Sequence, residues 1–198
     1  MQYANRATAF LATALLTIAL PGAIPASART GDAPAAFAGI PGISFQYYEV
    51  EGRDEQEIYA ALQARGIRSP DGQSATGVTR WGFQFRWGEH RDGNGGCRTY
   101  NPRAELIIGV ILPRLRDADG LPPRARAWWG RYQRTIERHE AGHARIAWDH
   151  RDDFLRAGNG VRCADIKDIG NRVLARITAL QQDYDRATEH GRKQDRVD

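Results

Sequence analysis

The hydrophobic pattern changes period about halfway along the chain. In the first half, apolar residues alternate with polar ones or form short runs, which is typical of β-strands. Ile43–Val50 is rich in β-branched and aromatic residues, Thr79–Trp87 alternates, and Arg103–Leu112 holds a dense apolar run. Asp92–Gly96 is a cluster of turn-forming residues, so we predict that the last two strands form an antiparallel hairpin.

Two long segments with a helical period follow the hairpin. The first runs from Arg124 to about Leu155 without a proline, and its large apolar residues fall on one stripe. The second runs from about Ala164 to Thr188, with Gly191 where a C-terminal cap would lie. A short helix from Asp54 to Ala64 is predicted before the hairpin. The fold class is therefore α+β: a small antiparallel sheet with a short helix, followed by two long packed helices.

The first 28 residues (Met1–Ala28) predict a secretory signal peptide. Arg6 gives a positive start, the stretch Ala7–Leu20 is almost wholly apolar, and Ala26–Ala28 is a cleavage site of small residues. The apolar run is shorter than the roughly 20 residues that span a bilayer, which favours cleavage over anchoring. We therefore expect a periplasmic or secreted protein without stable membrane insertion.

Two further segments show neither a helical nor a strand pattern. Residues 29–42 are rich in Ala, Pro and Gly and predict a flexible leader, and residues 192–198 predict a disordered tail. The remaining residues, 43–191, predict one domain that is long enough to bury a core.

The composition predicts one covalent cross-link and indicates little about binding partners. The chain has two cysteines, Cys97 and Cys163, and export to an oxidising compartment predicts a disulfide between them. The net charge of +4 comes almost entirely from arginine, which we interpret as compositional bias. We expect a monomer with no nucleic-acid partner.

The chemistry of the chain centres on the motif His139-Glu140-Ala141-Gly142-His143, in the first long helix. Four residues turn a helix by about 400°, so both imidazoles leave one face and can bind one zinc ion at about 2.0–2.1 Å. Glu140 lies about 100° around the helix, where it can flank the metal and take the proton of a zinc-bound water. Gly142 costs about 1 kcal/mol relative to Ala, so we expect another element to approach closely there.

A catalytic zinc usually has three protein ligands, so a third is needed. Asp149 lies six residues past His143, but Ile146 stands where a glycine would let the helix end, so Asp149 is expected to project away. His150 returns to the same face about 10.5 Å further along, out of reach of the same ion. His190 can fold back to the motif if the long helices pack antiparallel, although a histidine there also suits the helix dipole.

The zinc motif and the terminal pattern Tyr-Asp-x-x-Thr-x-His-Gly at Tyr184–Gly191 resemble the bacterial family of predicted secreted zinc-dependent proteases. This is an HExxH-containing domain family of otherwise unknown function, and the resemblance runs from about Phe45 to Gly191. It implies that His190 belongs to the metal site. It also suggests a role for Tyr184 or Asp185: Tyr184 as a donor to an oxyanion, although Tyr184 fits the core stripe as well, and Asp185 as the residue that orients a ligand histidine.

Together these features predict an exported metallopeptidase with Zn²⁺ as cofactor and a peptide or protein as substrate. The predicted metal ligands are His139, His143 and His190, and the predicted catalytic residues are Glu140 and Tyr184. Two alternatives stay open: a zinc amidase acting on cell-wall peptides, and a non-catalytic envelope binding protein with a structural zinc. The basic, aromatic start of the first long helix, Arg124–Arg134, favours the second alternative but is also typical of a solvated arginine face.

Overall fold

The computed structural model describes residues 33–68 and 74–194, together with the backbone of residues 16 and 17. Its strands are β1 (Leu16–Thr17), β2 (Ile43–Val50), β3 (Ile67–Arg68), β4 (Ser74–Ala75), β5 (Val78–Arg91) and β6 (Cys97–Leu115). Its helices are a short 3-10 helix (Ala35–Phe37), α1 (Glu55–Arg65), α2 (Pro123–Asp149), α3 (Asp153–Ala157) and α4 (Ile166–Thr188). The predicted signal peptide, apart from residues 16 and 17, and the last four residues of the predicted tail lie outside the described residues.

The main sheet has the strand order β1-β5-β6-β2, and β3 and β4 form a separate pair. β5 and β6 form the predicted antiparallel hairpin, with Trp81 opposite Ile108. β2 lies on the other side of β6 and runs parallel to it, with Ile43 opposite Ile108. The sheet is therefore mixed, whereas the sequence predicts an antiparallel one. The dense apolar run of β6 suits its interior position, but a hydrophobic pattern does not specify the direction of the neighbouring strand.

The core lies between one face of this sheet and the long helices, which confirms the predicted α+β class. Phe83, Phe85 and Trp87 alternate along β5 and pack against the helical layer, where Phe85 stacks on Phe154 of α3 at 4.1 Å between ring centroids. The motif helix α2 contributes the small buried residues Ala141 and Ala144 to the same layer. Small side chains let α2 approach the strands closely, which fixes the height of the motif above the sheet.

A disulfide joins Cys97, at the start of β6, to Cys163, just before α4, with their Cα atoms 5.5 Å apart. This confirms the pairing that the sequence predicts and ties the hairpin to the helical end of the chain. None of the helices in the described part of the chain combines the length and the apolar character that crossing a bilayer requires.

The segment predicted as a flexible leader is packed where the structure describes it. Phe37 and Ile40 are only 2% and 7% exposed, and the Phe37 ring lies edge-on to Phe45 at 5.0 Å. Arg145 of α2 donates a hydrogen bond to the carbonyl of Ala38 at 2.8 Å. The flexible-leader prediction is therefore wrong for residues 33–42. Two apolar side chains in a segment rich in Ala, Pro and Gly are enough to hold it, because both reach the core.

Replacement of Phe37 by Ala tests this packing. We expect Phe37→Ala to lower the free energy of unfolding by about 3 kcal/mol, because it removes a fully buried ring and leaves a cavity. The control is Tyr59→Ala on α1, where an exposed ring is lost and a change within about 0.5 kcal/mol is expected. Urea denaturation followed by circular dichroism measures both, and equal effects for the two variants would contradict the docked segment.

Candidate metal centre

The two motif histidines point to one spot above α2. The Nε2 atoms of His139 and His143 lie 3.3 Å apart, as the four-residue spacing predicts. The two rings are nearly perpendicular, at an interplanar angle of 84°. Two ligand atoms bound tetrahedrally to zinc at 2.0–2.1 Å lie about 3.3–3.4 Å apart. The pair therefore already has the spacing of two zinc ligands.

Asp185 brings a third donor atom to the same spot from α4. Its Oδ1 lies 3.0 Å from Nε2 of His143 and 3.3 Å from Nε2 of His139. These three residues form a group whose potential ligand atoms all lie within 4.8 Å of one another. The last turns of α4 thus lie beside the middle of α2, as antiparallel packing of the two helices requires.

Two buried glutamines fix the orientation of the imidazole rings. Nδ1 of His143 faces Oε1 of Gln181, whose Nε2 donates to the carbonyl of His143 at 3.1 Å. Nδ1 of His139 lies 3.2 Å from Oε1 of Gln194, and the same oxygen accepts a hydrogen bond from the Tyr184 hydroxyl at 3.0 Å. An amide oxygen only accepts, so in both rings the hydrogen is on Nδ1.

The donor set of this cluster fits a zinc ion. A neutral imidazole with its hydrogen on Nδ1 has a lone pair on Nε2, so two nitrogen lone pairs and one carboxylate oxygen of Asp185 converge within 3.0–3.3 Å. Acceptors that converge in a largely buried place need a cation between them, either protons or a metal ion. Imidazole nitrogen and carboxylate oxygen are both ligands that zinc takes in proteins.

His143 and Asp185 of the cluster shift each other's pKa values. Burial raises the pKa of Asp185, but hydrogen bonds from His139 and His143 outweigh it and hold this pKa well below its usual range. Burial lowers the pKa of His143, but the hydrogen bond with Asp185 and the charge of Glu140 outweigh it, so the net shift is upward. Asp185 is therefore ionised at neutral pH and places a negative charge beside the two imidazoles.

Glu140 lies beside this group and not within it. Its side chain is on the sheet side of α2, where a Cβ atom on Gly77 would lie 2.8 Å from its Oε1. The hydroxyl of Thr79, at the start of β5, donates to the Glu140 carbonyl at 3.0 Å. Glu140 is only 4% exposed, and burial raises its pKa although His139 and His143 act to lower it. A buried carboxyl with a raised pKa next to a cation site is suited to accept and release a proton.

His190 and Asp185 occupy the reverse of the places that the sequence predicts for them. His190, the predicted third ligand, lies one contact further out, with Nδ1 3.7 Å from Oδ1 of Asp185 and 64% of its side chain exposed. Asp185, predicted to orient a ligand, contacts both Nε2 atoms itself. The reason lies in the backbone: Asp185 is in the last turn of α4, whereas His190 follows the helix end with a left-handed φ of 53°.

Tyr184 covers the motif helix instead of facing an open cleft. Its ring stacks on His139 at 5.3 Å with an interplanar angle of 15°. A Cβ atom on Gly142 would lie 2.1 Å from the Tyr184 hydroxyl oxygen, so this ring is the close neighbour that the glycine predicts. The hydroxyl donates to Gln194 at 3.0 Å, and the contact of Tyr184 with an oxyanion stays a prediction.

Two glutamines of the site, Gln181 and Gln194, are not among the residues that the sequence predicts. Gln181 stands four residues before Asp185 and so on the same helical face, a signal that could have identified it. Gln194 lies in the predicted disordered tail, and that prediction is wrong for residues 192–194, since Gln194 is almost completely buried. Nδ1 of His150 lies 2.9 Å from Oδ2 of Asp153, and His150 lies outside the group, as its distance from His143 along the helix predicts.

A second cluster with metal-ligating side chains contains Glu89 and the two cysteines. The sulfurs of Cys97 and Cys163 are bonded to each other, so neither is available as a thiolate ligand. The cluster is therefore part of the disulfide and not a metal centre.

Fold and site together define an α+β protein with an HExxH motif on a central helix and a carboxylate supplied by the last helix. The chain belongs to the DUF922 family, described as bacterial protein of unknown function, and the family model matches residues 45–191. This agrees with the predicted resemblance to an HExxH-type bacterial family, although the description names neither proteolysis nor zinc. No curated protein and no solved structure matched the chain.

Because Tyr184 lies so close to Gly142, replacement of Gly142 by alanine should destabilise the protein, although alanine has the higher helix propensity. We expect Gly142→Ala to lower the free energy of unfolding by about 1–3 kcal/mol, because its methyl group would overlap the ring. The matched control is Gly130→Ala on the same helix, whose methyl group would meet only the flexible end of Arg134 at 3.4 Å. There the higher helix propensity of Ala should add up to about 1 kcal/mol. Thermal unfolding compares the two, and stabilisation by both would contradict the close contact.

The placement of Asp185 and His190 predicts which of them holds the metal. We expect about one zinc ion per chain in the wild type after refolding with zinc, loss of zinc in Asp185→Ala, and retention in His190→Ala. Elemental analysis of the desalted proteins gives the ratio. The opposite result, with zinc lost only in His190→Ala, would return His190 to the ligand position that the sequence predicts.

Proposed function

We propose that the chain is an exported zinc-dependent metallopeptidase that hydrolyses a peptide bond with Glu140 as general base. The observation that carries this proposal is the convergence of two imidazole nitrogens and one carboxylate oxygen beside a buried carboxyl. The converging donor atoms alone would suit a structural ion or a salt bridge. Donor atoms with a buried carboxyl beside them suit hydrolysis.

His139, His143 and Asp185 are the residues that would hold zinc, with His190 within reach of Asp185. When bound, zinc supplies Lewis-acid activation of a water molecule and of the substrate carbonyl. A structural zinc usually has four protein ligands, whereas the grouped residues in the described part of the chain number three. That count favours a site with an open position, as catalysis requires.

Glu140 moves the proton in this reaction. Its carboxylate takes a proton from the attacking water, which adds to the carbonyl carbon, and then passes that proton to the leaving nitrogen as the C–N bond breaks. Burial raises the pKa of the Glu140 carboxyl toward neutral pH, which suits a group that both accepts and releases a proton. Gly77 packs against the carboxylate, and the Thr79 hydroxyl holds the main chain of Glu140.

The sheet next to Glu140 offers support for an extended polypeptide as substrate. In the described part of the chain, β5 pairs on one side with β6, and on the other side only Leu16 and Thr17 pair with it, opposite Phe85 and Gln84. Among the residues that the structure describes, none therefore pairs with the edge of β5 from Val78 to Phe83, which begins beside Glu140. An open strand edge can bind an extended peptide through main-chain hydrogen bonds.

Two features support export. The N-terminal sequence predicts a cleaved signal peptide, and the Cys97–Cys163 disulfide is compatible with an oxidising compartment. We infer that the mature enzyme acts in the periplasm or outside the cell.

Replacement of Glu140 tests the proposed reaction. We expect Glu140→Gln to lower peptide cleavage at least about 100-fold while the zinc content stays at the wild-type level, because the amide cannot accept the proton. Cleavage of a mixed peptide library, read by mass spectrometry, is the measurement. A chelator should abolish the wild-type activity, and added zinc should restore it.

The matched control is Glu137→Gln, one turn earlier on α2, where the carboxylate accepts a hydrogen bond from Gln133 at 2.8 Å. This variant should cleave like the wild type. Full activity of Glu140→Gln would refute the assignment of the base. A wild type that binds zinc but cleaves no peptide in the library would favour the structural or binding alternative.

A further inference from the structure

The segment that follows α4 turns back onto the motif helix α2. Glu189, His190 and Gly191 have left-handed φ values of 49°, 53° and 86° in succession, which reverse the chain. The amide of Lys193 donates to the carbonyl of Thr188 at 2.8 Å and closes the turn. A Cβ atom on Gly191 would lie 3.2 Å from Cγ of His139, so the turn packs directly on this imidazole ring.

This turn delivers Gln194 to the side of His139 that faces away from the donor cluster. Gln194 is 1% exposed, and its Oε1 is 3.2 Å from Nδ1 of His139. The Tyr184 hydroxyl donates to the same oxygen at 3.0 Å and holds it in this direction. The hydroxyl oxygen of Thr188 is a more distant acceptor, 3.4 Å from Nδ1. A buried amide is costly unless it is hydrogen-bonded, and here its oxygen is directed at the imidazole.

We propose that Gln194 is a positioning residue that keeps the hydrogen of His139 on Nδ1 and thereby presents Nε2 to the metal. The inference rests on the zinc site of the proposed function. Gln181 acts in the same way on His143 from within α4. Gln194 lies three residues beyond the segment 45–191 that the family model matches, so the metal centre extends past that segment.

Two substitutions distinguish the effect of the acceptor oxygen of Gln194 from the effect of the size of its side chain. Gln194→Met keeps a side chain of similar length without the acceptor, and Gln194→Glu keeps the acceptor. We expect the zinc dissociation constant to rise about 10–100-fold in Gln194→Met and to stay within about threefold of the wild type, or fall, in Gln194→Glu. Competition with a chromogenic zinc chelator measures the constant. The exposed Gln182 supplies the control, since Gln182→Ala should bind zinc like the wild type.

Wild-type affinity in Gln194→Met would show that Gln194 acts by packing alone and would overturn the inference while leaving the zinc site intact. A wild type that binds no zinc would overturn the proposed function and this inference with it. If Gln194→Met does not fold, nitrogen-15 NMR of the zinc-loaded wild type decides. A slowly exchanging proton on Nδ1 of His139 is expected, and zinc on Nδ1 or a rapidly exchanging proton there would overturn the inference.

Discussion

The close approach of Tyr184 to Gly142 is the contact on which the candidate metal centre depends. Because residue 142 has no side chain, the ring of Tyr184 can lie over α2 and stack on His139. That approach brings the last turns of α4 near enough for Asp185 to reach both Nε2 atoms. A side chain at position 142 would push the helices apart and separate the carboxylate from the imidazoles, so the glycine permits this contact at a cost in helix propensity.

The polar groups of the site are organised in layers around that contact. Asp185 faces the inner nitrogens of His139 and His143, and Gln194 and Gln181 face their outer nitrogens. Each imidazole is therefore held on both sides, which leaves it little freedom to rotate or to change tautomer. In a largely buried place, such an arrangement favours a bound cation, because a half-satisfied polar cluster is less stable than an apolar core.

Both ends of the described domain reinforce the motif helix. The N-terminal segment docks Phe37 and Ile40 in the same core cluster as Ala141 and Ala144, and the C-terminal segment packs Gly191 on His139. The disulfide adds a third tie between the hairpin and the start of α4. This support is consistent with the proposed role of α2, since metal ligands and a general base must stay fixed relative to each other during a reaction.

The sequence by itself determined the α+β class, the disulfide, the shared face of His139 and His143, and the need for a close neighbour at Gly142. These follow from local periodicity, from the redox compartment and from helix geometry, none of which requires knowledge of distant contacts. Only the tertiary structure decided the direction of β2, the packed state of residues 33–42 and the position of Asp185, rather than His190, next to the two motif histidines. It also identified Gln194, because left-handed backbone angles after α4 and burial in a cleft between helices are set by long-range packing and leave no periodic trace in the chain.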